Sequence, residues 1–138
     1  MMDPQNNETM ALNRLPAQVL QAVQAAQDKK AADVVVLDLH EVAGFTDYFV
    51  ICSGQSPRQV KAIADGVEDA LRKAAAGKPS HVEGYDRAEW ILLDYFDFIV
   101  HVFNPKTRLF YALERLWGSA GRIAMPDPTP SVEGRARS

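Results

Sequence analysis

The chain has 138 residues, a net charge of −3 and one cysteine, Cys52. That length suits one domain whose core needs neither disulfides nor a metal to fold, and a lone cysteine points to a reducing compartment. The slight acidity excludes a protein that grips nucleic acid over its whole surface, because such binding needs a dense Lys/Arg footprint to displace counterions. Residues 1–13 are polar, show no basic stretch followed by an apolar one, and read as a flexible N-terminus without a secretory signal. The folded domain is expected over residues 14–120.

The domain opens with a helix. Pro16 fits a first helical turn, and Leu15, Val19, Ala22, Val23 and Ala26 recur at helical spacing. Asp33 to Leu39 (DVVVLDL) switches to the β-branched composition of a buried strand. Gly44 marks the turn that follows, and Tyr48 to Cys52 is a second apolar strand. Ser56, Pro57 and Gln59 then form a helix start: an N-cap, a proline in the first turn, and a partner for a capping box. Val60, Ile63, Ala64, Val67 and Leu71 share one face of that helix, and Gly77 with Pro79 ends it. Val82 to Tyr85 is a short strand. Trp90 to Tyr95 and Phe98 to Phe103 form an antiparallel hairpin through Phe96-Asp97. Asn104-Pro105 caps a last helix with Leu109, Leu113 and Leu116 along its face. Gly121 to Ser138, with Pro126, Pro128 and Pro130, reads as a disordered tail. This order predicts an α/β (α+β mixed) fold, with one mixed sheet covered by helices.

Candidate chemistry is sparse. His40, His81 and His101 lack the close spacing of a metal motif. Cys52 sits inside an apolar strand and reads as a small core residue. The Ser53-Gly54-Gln55-Ser56 turn leads from a strand into a helix N-terminus, an arrangement that can hold a phosphate. Nucleotide chemistry there also needs paired carboxylates for magnesium. Asp94 and Asp97 straddle a turn, as do Glu83 and Asp86, so a structural turn and a nucleotide-binding enzyme using Gly54 and Ser56 remain as alternatives. Charge is segregated: Asp33, Asp38, Glu41 and Asp47 are all acidic, whereas Lys106, Arg108, Arg115 and Arg122 outnumber Glu114. Such an acidic and a basic end can steer a partner. Trp90 to Phe103 is too short and too charged to span a bilayer, so a soluble, cytoplasmic protein is expected.

The strand Trp90-Ile91-Leu92-Leu93-Asp94-Tyr95 is the most informative. Alternation places Trp90, Leu92 and Asp94 on one face and Ile91, Leu93 and Tyr95 on the other, and both faces are largely apolar. Either the strand is covered on both sides or one face docks a partner.

The run Thr46 to Gly54 (TDYFVICSG), then Ser56, Arg58-Gln59-Val60 and Ile63-Ala64, resembles the ribosomal silencing factor family, also called Iojap-like. Glu83-Gly84, Trp90 to Tyr95, Ile99 to Phe103, Arg108, Phe110-Tyr111, Leu113-Glu114 and Leu116-Trp117 continue the match in order. The chain departs from the family pattern at Phe96, where a glycine is usual, and at Asp86-Arg87-Ala88-Glu89, which lacks the glycine common before Trp90.

The resemblance implies a nucleotidyltransferase-like fold of about five strands without catalytic carboxylates, hence no enzyme and no cofactor. It implies binding to the large ribosomal subunit through its fourteenth protein, on the face that meets the small subunit, and so a block on subunit joining when nutrients are short. It also implies a homodimer when free, with little direct nucleic-acid contact and no membrane association. By matching position, Trp90 would be an aromatic anchor, Leu93 and Tyr95 apolar contacts and Asp94 a polar contact. Tyr48, Asp47 and His101 are further candidates. Strand alternation cannot set the first four on one face, so at least one belongs to the core.

Overall fold

A computed structural model describes residues 15–126. Helix α1 (Ala17–Asp28) leads into strand β1 (Ala32–Asp38), which is followed by β2 (Tyr48–Ser53) and helix α2 (Pro57–Lys73). Strands β3 (His81–Glu83), β4 (Trp90–Asp94) and β5 (Phe98–Phe103) come next, then α3 (Pro105–Tyr111), a single helical turn α4 (Leu113–Leu116), and β6 (Gly121–Ala124). The six strands form one sheet in the order β3-β4-β5-β2-β1-β6. Only β2 and β5 run parallel; the other neighbours are antiparallel. The expected mixed sheet flanked by helices is therefore present, with one strand more than anticipated.

The two long helices cover one face. Val19, Ala22, Val23 and Ala26 of α1 and Val60, Ile63, Ala64, Val67 and Leu71 of α2 are buried. They meet Val34, Val36, Val50, Cys52, Ile91, Leu93, Val100 and Val102 from the sheet. Each fully buried Val, Leu or Ile among them contributes about 1.5–3 kcal/mol by leaving water. Ser56 caps α2 by accepting the Gln59 backbone N–H at 3.1 Å. The Gln59 side chain accepts from Gln55 N–H at 2.7 Å, one residue before the position a capping box uses, and donates to the Lys29 and Lys30 carbonyls at 3.1 Å. One glutamine thus closes α2 and ties it to the end of α1. Helix α2 stops at Lys73, ahead of Gly77. Ala75 turns left-handed (φ 64°), Ala75 N–H reaches Arg72 O and Ala76 N–H reaches Leu71 O, so the cap forms with alanine where glycine is usual.

Two expectations at the C-terminal end are corrected. Leu109, Leu113 and Leu116 do not share a helix face. Ala112 adopts a left-handed conformation (φ 49°) that breaks the segment into α3 and α4; Leu113 is buried, whereas Leu109 and Leu116 are exposed. Residues 121–126 are not part of a disordered tail. β6 pairs antiparallel with β1, Val35 opposite Ala124 and Leu37 opposite Arg122, and Met125 is buried against Val34. Four mostly exposed residues suffice because β1 offers a free edge. The rest of the expected tail and the expected flexible N-terminus lie outside the described residues.

Candidate functional site

The second face of the sheet carries the aromatic side chains. Val35, Leu37, Phe49, Ile51, Ile99 and Phe103 form its buried base, with Trp90, Leu92 and Trp117 packed against them. Ring contacts run continuously across it. Tyr111 lies 4.8 Å from Trp90, and Trp90 stacks on Phe103 at 4.8 Å. His101 meets Phe49 edge to face at 4.4 Å, Phe49 meets Trp117 at 6.1 Å, and Trp117 meets Phe45 at 6.0 Å. Aromatic pairs in these arrangements add about 0.5–1.5 kcal/mol each beyond area burial, so the row is rigid. Exposed aromatic rings border it: Phe45, which packs on Trp117, and Tyr111, which packs on Trp90 and is joined by Phe110 at 79% exposure. Phe49, His101 and Phe103 are buried within the row, so the apolar surface it offers to solvent comes from its part-buried tryptophans and its exposed borders.

The residues expected to contact a partner divide between the two faces. Trp90 and Asp94 lie half-buried on the aromatic face, where His101 is 3% exposed. Leu93 is fully buried under the helices on the opposite face, so it belongs to the core. Tyr48 also points to the helix side and is nearly buried. Tyr95 lies at the margin of that core and stacks on Phe98 at 5.1 Å. Its hydroxyl is buried without a partner among the described residues, and burial pushes it up to about 12. Asp47 sits in the loop before β2, its carboxylate 3.6 Å from His40 Nε2. His40 Nδ1–H donates to Asp38 Oδ1 at 2.7 Å, the ring packs on Tyr48, and the hydrogen bond with Asp38 raises the His40 pKa. Trp90 and Asp94 stand at opposite ends of β4, about 13 Å apart at the usual strand rise. The structure therefore joins Trp90 with His101, and Asp47 with Tyr48, as separate groups.

Asp94 also has a local duty. Its Oδ1 accepts the Phe96 N–H at 2.8 Å and holds the β4–β5 turn in which Phe96 is left-handed (φ 76°). Ala88, just before Trp90, is left-handed as well (φ 56°). Both fall where the sequence departs from the pattern it resembles: Phe96 itself, and the Asp86-Arg87-Ala88-Glu89 segment that holds Ala88. Gly84 keeps its glycine for a stronger reason: at φ 81° an added Cβ would lie 2.0 Å from the Trp90 carbonyl oxygen.

Phe49, Phe103, Tyr111 and Trp117 complete the aromatic row, and sequence reasoning did not single them out as site residues. Alternation along β2 and β5 does place Phe49, His101 and Phe103 on the Trp90 face, but only once the register is known: Trp90 pairs with Phe103, and Ile51 with His101.

The Gly54 to Ser56 turn offers little to a phosphate. Gly54 N–H donates to Phe103 O, Gln55 N–H to the Gln59 side chain, and Gln59 N–H to Ser56 Oγ. These donors are spent inside the chain. Gly54 is small because Val60 and Ile63 crowd it at 3.0–3.1 Å. A cleft of about 780 Å³ lies beside Ser53, between β1, β6, α3 and α4. In it Arg108 donates to Ser53 Oγ at 2.8 Å and to both carboxylate oxygens of Glu114 at 2.8 and 3.3 Å. Asp33 and Arg122 line the same cleft, so charges that are separate along the sequence meet in space. Among the described residues, no three His, Cys, Asp or Glu side chains are grouped to hold a metal, and no helix is long and apolar enough to cross a membrane.

Comparison with known proteins adds lineage. The family described as "Ribosomal silencing factor during starvation" (RsfS) matches residues 12–138. The ribosomal silencing factor RsfS of Halalkalibacterium halodurans is 40% identical over 113 residues, covering 82% of this chain and 90% of that protein. A mouse protein named "Mitochondrial assembly of ribosomal large subunit protein 1" is 31% identical over 97 residues, covering 69% of this chain and 42% of that protein. The crystal structure of a Chromobacterium violaceum protein superposes with a TM-score of 0.71 at 32% identity, covering 83% of this chain and 90% of the other.

Proposed function

Because this chain belongs to the ribosomal silencing factor (RsfS) family, whose members act on the ribosome to silence translation, we propose that it binds the large ribosomal subunit through the subunit's fourteenth protein and sterically blocks subunit joining. The observation that carries this reading is the family match over residues 12–138. The name of the mouse relative, which specifies the large subunit, supports the choice of subunit. The mechanism requires no chemistry. A domain of this size docked on the intersubunit face need only outlast the attempts of the small subunit to join, and an interface of standard size, about 800 Å² per partner, suffices.

The aromatic face is the surface proposed to dock. Trp90 is its anchor, since Trp and Tyr are over-represented among residues that dominate binding energy. Asp94 is a polar contact at the far end of the same strand, Asp47 lies in the loop before β2, and Tyr95, at the edge of the helix-side core, follows Asp94. Leu93 and Tyr48 support it from beneath. In the cytoplasm and free of ribosomes, the chain is proposed to form a homodimer.

The test is sedimentation of purified subunits at a magnesium concentration that permits joining. Excess protein is expected to lower the assembled fraction; an unchanged fraction refutes the proposal. Trp90→Ala is expected to stay folded and to weaken the effect by about 2 kcal/mol, roughly thirtyfold in affinity.

A further inference from the structure

His101 is an odd choice for its place. It lies in the centre of β5, is 3% exposed, and is surrounded by the rings of Phe49, Trp90 and Phe103. An apolar side chain of similar size would fill the site without burying polar atoms. One ring nitrogen is used: Trp90 Nε1–H donates to His101 Nδ1 at 3.0 Å. An indole N–H only donates, so Nδ1 must accept and the proton sits on Nε2. Nε2 is buried and has no hydrogen-bond partner among the described residues. Burial also lowers the pKa to about 3, which keeps the ring neutral and the accepting nitrogen bare.

A buried donor left unpaired costs stability. What the histidine supplies in return is one directed contact to Trp90, the proposed anchor of the aromatic face. Phe103 and Tyr111 pack against the Trp90 ring at 4.8 Å, but ring contacts of this kind have little directional preference and leave open the 180° alternative at χ2, which turns Nε1 away from His101. The Nδ1 acceptor fixes that remaining freedom. An anchor held in its bound orientation before docking loses less entropy on binding.

We propose that His101 is the positioning residue for Trp90: it does not touch the partner but sets the orientation of the indole through the Nε1–H to Nδ1 hydrogen bond. The proposal rests on the reading above that Trp90 docks on the large subunit, and it reassigns His101 from contact to support.

The test has two arms on the full chain. In the first, ¹H–¹⁵N NMR follows the two indole N–H resonances, Trp90 and Trp117, separated by a Trp117→Phe variant. Trp90 Nε1–H is expected to be shifted downfield and slow to exchange. His101→Phe, with His101→Leu as the smaller alternative, should remove both features. His101→Asn should restore them, since its Oδ1 stands nearly where Nδ1 stood. In the second arm, affinity for purified large subunits should fall about tenfold in the Phe and Leu variants and recover in Asn.

A Trp90 resonance unmoved by His101→Phe or His101→Leu overturns the positioning role, whatever the ribosome does. So does a moved resonance with wild-type affinity. If the unaltered chain itself fails to bind subunits, the docking reading falls; the NMR arm alone then decides whether His101 orients the indole.

Discussion

At the scale of single residues, the departures from the family pattern have a measurable cost. Phe96 and Ala88 stand in left-handed conformations (φ 76° and 56°) that cost an L-residue roughly 1–2 kcal/mol. Ala88 is fully buried and its methyl packs in the core, but Phe96 is 75% exposed and gives little in return. Phe96→Gly is therefore expected to stabilise the chain by about 0.5–1 kcal/mol, after allowing for the entropy glycine adds to the unfolded chain. Urea unfolding measures this, and a loss of stability would show that Phe96 packs usefully. This strain was not legible in the sequence. An Asp-Tyr-Phe-Asp run carries no glycine to mark a left-handed position, although the comparison with the family pattern pointed to both places. Cys52 was legible: it is fully buried in β2, and burial pushes its thiol up to about 12, which leaves it a core residue and not a nucleophile.

At the scale of elements, the regular parts were readable and the irregular ones were not. The α2 face was visible because five apolar positions recur at helical spacing and all five are buried. The α3–α4 break was hidden because Leu109, Leu113 and Leu116 fit one continuous helix equally well. What holds the break is the Arg108–Glu114 pair, whose side chains are only 11% and 18% exposed. Arg108, hydrogen-bonded to Glu114, holds that carboxyl below its ordinary value of 4.5. The folded state thus binds this proton less readily than the unfolded state. The resulting stability is complete above the unfolded value and fades as the pH falls through the folded one. Glu114→Gln is expected to lose about 2 kcal/mol near pH 7, with the gap to wild type constant down to about pH 5.5 and narrowing below about pH 4.5. Denaturant midpoints across that range decide it; a gap that widens in acid contradicts the pairing. β6 was hidden for another reason. Gly-Arg-Ile-Ala has no strand composition of its own, and its pairing comes from the open edge of β1. Truncation after Ala120 is expected to lower the unfolding midpoint and promote aggregation, because it exposes that edge and uncovers Val34 and Val35. Unchanged light scattering and an unchanged midpoint would argue otherwise.

At the scale of the whole molecule, one sheet separates two tasks. Its helix-covered side carries the larger core cluster, and its other side a smaller, aromatic-rich one on which Trp90 and Trp117 stay part-buried. The site was half legible. Trp90 and Asp94 were correctly set on one face by alternation, but alternation cannot say which face the long helices take, and that choice sends Leu93 inward. The net charge of −3 fits docking on a protein better than on RNA. At fixed magnesium, affinity for large subunits is expected to change less than tenfold between about 50 and 200 mM salt. A protein making six or more phosphate contacts would lose about a thousandfold or more over that range. A steep salt slope would therefore reassign the contact to ribosomal RNA. The strand order carries one more consequence. Among the described residues β6 is the last strand, and it pairs with the outer edge of β1, the first. During synthesis β1 therefore emerges long before the partner for its outer edge exists. Sheet completion waits for residues 121–124: a nascent chain carries an unsealed β1 edge until they emerge, and a chain cut short before them never seals it.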